Sequence, residues 1–96
     1  MYLKIHRSPQ GDVVAACDRE LLGKKLTHEG VEITISASFY GSTPASVEDV
    51  RSAMQGASNI NLMGERVVRI AVEMGLITEK GCMRISGVPH AQIFQV

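Results

Sequence analysis

Tryptophan is absent from this 96-residue chain, and two tyrosines with two phenylalanines are its whole aromatic supply. A core without large rings is aliphatic, filled by Val, Ile, Leu, Met and Ala. The same shortage argues against the spaced row of rings on which single-strand RNA platforms stack bases, leaving only Tyr2, Phe39, Tyr40 and Phe94 for such a role. Net charge is missing too: ten Lys and Arg balance ten Asp and Glu. No global field draws a polyanion, so any nucleic-acid contact falls to a local patch. Cys17 and Cys82 are the two cysteines, far apart and without CxxC spacing, and no cationic-then-apolar leader is visible. The expected compartment is a reducing cytoplasm. No apolar run approaches the roughly 20 residues that cross a bilayer, so no membrane association is expected.

What is present fits an ordinary small globule. Apolar residues make up 45% and charged residues 21%. A chain of this length forms a single domain, residues 1–96, burying roughly 60–65% of the surface its unfolded form exposes. Tyr2–His6 alternates with Leu3 and Ile5 on one face, and Val13–Cys17 follows a turn-rich Ser8-Pro9-Gln10-Gly11-Asp12, which predicts a hairpin. Between Asp18 and Gly30 the signals conflict, because Gly23 interrupts Leu21, Leu22 and Leu26. One irregular helical turn is expected there, then a turn over residues 27–30. Val31, Ile33, Ile35, Ala37 and Phe39 alternate and predict one long strand over 31–39.

Thr43-Pro44 reads as an N-cap and first helical residue, opening a helix whose apolar side is Val47, Val50, Met54 and Ala57. Asn61 reads as the cap of a second helix with Glu65 in its first turn and Met63, Val67, Ile70, Ala71 and Met74 as its stripe. Gly75 is expected at its C′ position in left-handed conformation, with Leu76 folding back. Residues 82–85 and 92–96 read as strands around a corner at Gly87-Val88-Pro89-His90. The fold class is therefore α+β: a mostly antiparallel sheet of about five strands with two helices packed on one face.

The segments Phe39-Tyr40-Gly41, Asn61-Leu62-Met63-Gly64-Glu65 and Gly87-Val88-Pro89-His90-Ala91-Gln92-Ile93, in this order and spacing, resemble a small archaeal family known as domain of unknown function 424. Val14-Ala15-Ala16-Cys17-Asp18 and Glu20-Leu21-Leu22-Gly23-Lys24 fit its first half. The resemblance covers almost the whole chain and implies an archaeal cytoplasmic protein. It implies no activity.

Candidate sites divide by chemistry. His90, held beside Pro89, has the means to titrate, bind a metal or move a proton; its plainer role is a ring hydrogen-bonded to backbone. Cys17 would be a nucleophile if the fold brought His90 or His6 beside it, but its neighbours Val14, Ala15 and Ala16 predict a buried, inert thiol. Metal binding would need His6, Cys17, His28, Cys82 and His90 to converge without ligand spacing on any one element, so neither metal nor cofactor is expected. The start of the second helix, with Asn61 and the side-chain-free Gly64, offers backbone N–H groups to an anion. Arg66 and Arg69, three apart on that helix, would add charge-assisted bonds, joined by Lys24, Lys25 or Arg84. Tyr40, before Gly41, is a candidate stacking residue.

The expected function is a non-enzymatic binding module, an RNA- or ribonucleoprotein-associated accessory protein contacting its partner through Tyr40, Asn61, Gly64, Arg66, Arg69 and His90. Two alternatives come from other classes. One is a small hydrolase or transferase using Cys17 and His90. The other is a protein–protein adaptor or homo-oligomer joined through a sheet face or strand edge.

Overall fold

Strand β1 (Tyr2–His6) and strand β2 (Val13–Cys17) form where alternation places them. They pair antiparallel, with Tyr2 opposite Cys17 and His6 opposite Val13. The turn between them is tied by Gly11 N donating to the Ser8 carbonyl at 3.1 Å and by Ser8 Oγ donating to the Gly11 carbonyl at 2.7 Å. The chain is described here by a computed structural model covering residues 1–95.

The next partner of β2 is not a neighbour in sequence. Strand β5 (Asn59–Met63) lies parallel to it, with Ala15 opposite Asn61 and Cys17 opposite Met63. Strand β7 (Val88–Phe94) pairs antiparallel with β5, and the short β6 (Met83–Ile85) closes the other side, giving the order β1-β2-β5-β7-β6. Helices α2 (Val47–Met54) and α3 (Glu65–Glu73) pack on one face, where Val50, Met54, Val67, Ile70 and Ala71 meet Val14, Ala16, Ile60, Leu62, Ala91 and Ile93. Ile60 and Leu62 are fully buried, each worth about 2 kcal/mol relative to exposure, which makes β5 the spine of the sheet.

The other face is half covered. A two-stranded hairpin of β3 (Lys25–His28) and β4 (Val31–Thr34), followed by the single turn α1 (Ala37–Tyr40), sets Leu21, Ile35 and Tyr40 against Ala15, Cys17, Met63 and Ile85. The architecture is one α+β domain with a mixed, mostly antiparallel sheet. Among the described residues, no helix is long and apolar enough to cross a membrane.

Several sequence expectations are corrected. The long strand over 31–39 stops at Thr34: Ile35 enters the second core while still bonded across to Lys24 and Gly23, and beyond it a helical turn, not a strand face, brings Tyr40 into the same core. Residues 25–28, partly read as turn, are β3, and the reversal is confined to Glu29 and Gly30, both at positive φ. The expected single helical turn is a 3-10 turn at Arg19–Leu21. Helix α2 starts after Ser46, not Thr43: Ser46 Oγ accepts from Asp49 N at 3.1 Å while the Asp49 carboxylate accepts from Ser46 N at 3.0 Å. This capping box satisfies two orphan donors, which Thr43-Pro44 cannot do; Pro44 instead bridges to Tyr2.

The predicted corner at Pro89 is a two-residue turn at Ser86-Gly87, both at positive φ as a primed hairpin turn requires. Pro89 lies inside β7, opposite Arg84. Its missing N–H leaves no gap in the ladder: the Pro89 carbonyl accepts from Gly64 N at 2.8 Å, while the Gly64 carbonyl is taken by Val68 N of α3 at 3.1 Å. The last strand runs 88–94 rather than 92–96, and Val96 lies outside the described residues. At the end of α3 the expectation holds. Gly75, at φ 75°, donates to the Val72 carbonyl and Leu76 to the Ala71 carbonyl, each at 3.0 Å, the two bonds of a Schellman motif.

Candidate functional site

Asn61 caps no helix. It sits in the middle of β5, where its side-chain Oδ1 accepts a 2.6 Å hydrogen bond from the Tyr40 hydroxyl. The cap of α3 is Asp18, a residue that sequence reasoning passed over as the end of an apolar run. The Asp18 carboxylate, 2% exposed, accepts from Arg66 N at 3.0 and 3.2 Å and from Val67 N at 3.0 Å, and Asp18 N donates to the Met63 carbonyl at 3.0 Å. Helix N-terminal donors and the helix dipole favour a carboxylate at this position. The only signal for it in the sequence was an acidic residue directly after a buried strand.

This occupancy overturns the reading of Gly64 as an anion cradle. Gly64 lies at φ 124°, and a Cβ added there would sit 2.4 Å from Asp18 Cγ, so glycine is required to let the carboxylate in. The N–H groups of Gly64, Arg66 and Val67, which an anion would use, are already taken by Pro89 and Asp18.

Gly64 and the His90 segment do come together, through the bond from Gly64 N to Pro89, but the side chains divide between the two faces of the sheet. Ala91 and Ile93 point to the helices while Val88 packs in the second core, so His90, in register with Val88, faces away from α3. Exposed Arg66 and Arg69 line a cleft of about 500 Å³ with Met1, Val47 and Ile70 on the helix side. Neither arginine has an ion-pair partner among the described residues. The single surface expected from Gly64, Arg66, Arg69 and His90 is thus two surfaces.

Cys17 shares the hairpin-side face with His90, but Met63 stands between them in the register. Its thiol is fully buried, and desolvation, then the Asp18 charge, pushes it up to about 11. A neutral, enclosed thiol is a poor nucleophile. Cys82, half-buried, donates to the Thr78 carbonyl at 3.5 Å, and its acidity is weakened by desolvation and Glu79. Among the described residues no three His, Cys, Asp or Glu side chains group as metal ligands.

The uncovered half of the hairpin-side face carries the unspent chemistry. Across it run His6, Val13, Asn59 and Phe94 in one register row, with Asn61 and Gln92 in the next-but-one position along the strands. Phe94 is 68% exposed. At the far end the His6 ring stacks on Phe39 with centroids 5.0 Å apart, held by a 2.7 Å bond from Nε2–H to the Phe39 carbonyl. His90 is the backbone-bonded ring its plainer reading describes: Nδ1–H donates to the Leu62 carbonyl at 2.9 Å. Tyr40 is buried rather than a free stacking residue, its ring edge-on to Phe39 at 4.9 Å.

A family model described as "Protein of unknown function (DUF424)" matches residues 6–96. Among solved structures, the chain is similar to the crystal structure of an uncharacterized conserved protein from Methanopyrus kandleri, with a TM-score of 0.83 and 31% identity over 97% of this chain and 89% of that one. No curated protein matches. A model match across nearly the full length, with a whole-domain structural likeness beside it, places the chain in the DUF424 family.

Proposed function

We propose that the chain is a non-enzymatic, cytoplasmic binding module whose partner is single-stranded RNA, free or within a ribonucleoprotein. The observation that carries this reading is Phe94, a ring 68% exposed in the strand next to the spine of the sheet, with the amides of Asn59 and Gln92 around it. An exposed ring on an open sheet face is a stacking platform for a base, worth about 1–3 kcal/mol per base stacked. Amides beside it supply hydrogen bonds to base edges, and one cluster of rings suffices for a short footprint. With no net charge on the chain, the affinity would rest on stacking more than on phosphate contacts, and its salt dependence would be shallow. The competing enzyme reading loses its nucleophile, since Cys17 is enclosed and neutral.

Fluorescence anisotropy with a single-stranded 12-mer RNA tests the proposal. Phe94→Ala is expected to weaken binding about tenfold or more across sequences, while Arg66→Ala/Arg69→Ala, on the opposite side, leaves it within about twofold. Loss of binding in the arginine pair alone would move the site to the helix face and overturn the sheet-face reading.

A second reading, a protein–protein adaptor or homo-oligomer, is favoured by the same strand. Among the described residues β6 pairs with residues 88–90 of β7 alone, so the ladder leaves the outer backbone edge at Gln92 and Phe94 without a strand partner among them, a site for strand addition. Sedimentation of the purified protein across a concentration series separates self-association from RNA binding.

A further inference from the structure

Two polar side chains on the open face have their orientation set from inside the fold. Tyr40, 5% exposed, donates its hydroxyl to Asn61 Oδ1 at 2.6 Å, so the Asn61 amide presents its NH₂ group, two donors, to the surface. Burial raises the Tyr40 phenol beyond the usual tyrosine range, which keeps the donor in place. The fully buried Leu62 presents its carbonyl to His90 Nδ1 at 2.9 Å. A carbonyl only accepts, so Nδ1 carries a proton, and the neutral tautomer that this bond selects has Nε2 as a bare acceptor. Neither Asn61 Nδ2 nor His90 Nε2 has a hydrogen-bond partner among the described residues, and no buried side-chain polar atom among them is unsatisfied. Both atoms are therefore reached by solvent.

The register sets them side by side. Asn61 opposes Gln92 and Met63 opposes His90, which makes Asn61 and His90 diagonal cross-strand neighbours, roughly 7–8 Å apart at their backbones. Phe94 is the diagonal neighbour of Asn61 on the other side. The face thus offers a fixed donor next to a fixed acceptor, with an exposed ring one step along.

We propose that Asn61 and His90 read the hydrogen-bonding edge of one unpaired nucleobase, with Tyr40 as the positioning residue and Phe94 stacking the adjacent base. The proposal rests on the RNA reading above and deepens it. An unpaired base edge carries a donor beside an acceptor: the imino N–H and carbonyl of uracil, or the amino group and ring nitrogen of adenine and cytosine. In a duplex those groups are already paired, so the site selects single strands. No proton is transferred and no bond is made.

The experiment compares two single-stranded 12-mers, one of uridine and one of N3-methyluridine, by anisotropy. N3 methylation removes the imino donor that His90 Nε2 would accept, yet preserves the charge and the stacking ring. Wild type is expected to bind the uridine 12-mer about tenfold more tightly than the methylated one. His90→Ala and Asn61→Asp, the latter keeping an oxygen for Tyr40 while replacing the donors, are expected to abolish that preference. Tyr40→Phe should reduce it without changing affinity for the methylated 12-mer. Phe94→Ala should weaken both RNAs equally. Equal binding of both 12-mers by wild type, with Phe94→Ala still weakening both, overturns the base-edge pair and leaves the RNA reading standing. No binding of either 12-mer overturns both. Thermal melts of each variant confirm that the compared proteins are folded.

Discussion

The Asp18 carboxylate occupies the space where residue 64 would carry a Cβ, 2.4 Å from Asp18 Cγ, and from there it accepts the first free N–H groups of α3. Glycine at 64 and aspartate at 18 are thus one device: the first makes room, and the second caps. Gly64→Ala meets both the positive φ and the carboxylate, and is expected to cost about 3 kcal/mol. Asp18→Ala, which strands the buried Val67 N–H and the part-buried Arg66 N–H, should cost about 2 kcal/mol. Urea melts decide both; an unchanged midpoint for Gly64→Ala would show that the carboxylate does not sit where it is placed here.

Tyr40 and Asn61 form a second coupled pair. Tyr40→Phe leaves the Asn61 oxygen without its donor and is expected to cost about 1 kcal/mol. A double-mutant cycle with Asn61→Ala should be non-additive, since either change removes the same 2.6 Å bond. Strict additivity would mean the bond contributes nothing to stability. A loss larger in Asn61→Ala than in the cycle's coupling would point to its strand packing, not to any helix cap.

Cys17 is expected to react with a thiol reagent far more slowly than Cys82, because its side chain is fully buried while that of Cys82 is partly open. Unfolding in urea should bring the two rates together. Rapid native labelling at Cys17 would revive the enzyme reading.

The same thiol carries a pH consequence. Its folded-state value is raised from the ordinary 9.0 to about 11, so the fold favours the neutral form. The stability this contributes is full below pH 9 and is lost as pH climbs from there toward about 11. Cys17→Ala or Cys17→Val should flatten that alkaline decline in melts taken across this window. An identical alkaline decline in the variants would assign it to other groups.

At the acid end, Ser46 holds the exposed Asp49 carboxyl below its usual range, first through its backbone N–H and then through its side chain. Because the folded value is depressed, the capping box contributes above the ordinary carboxylate value of 3.8 and fades as pH falls below it. Asp49→Asn, which removes the titrating carboxylate, is therefore expected to lower the melting midpoint at pH 7 and to approach wild type at pH 2. A constant difference at both pH values would contradict the coupling.

The elements whose reasons are local were legible from residue order alone. Leu3 and Ile5 alternate along β1, the turn formers 8–12 close its hairpin with β2, and Gly75 ends α3 through a motif completed within five residues. The burial of Cys17 followed from its apolar neighbours in the same way, as did the α+β class from the mixture of periods. The rest depended on partners distant in sequence. Asn61 reads as a capping residue because a polar side chain shortly before an apolar stripe looks like a helix start. Only the parallel pairing of β5 with β2, and a Tyr40 hydroxyl for Asn61 to accept from, make its segment the central strand. The alternating pattern of residues 31–39 holds as far as Ile35, yet beyond it the second core takes Tyr40 through a helical turn, since burying a large side chain outweighs strand propensity. Asp18 as the cap of α3, and His90 facing away from Arg66 and Arg69, were decided by tertiary structure alone. A carboxylate finds unpaired N–H groups wherever the fold delivers them, and which face a strand residue takes is a matter of register, which no single strand's sequence contains.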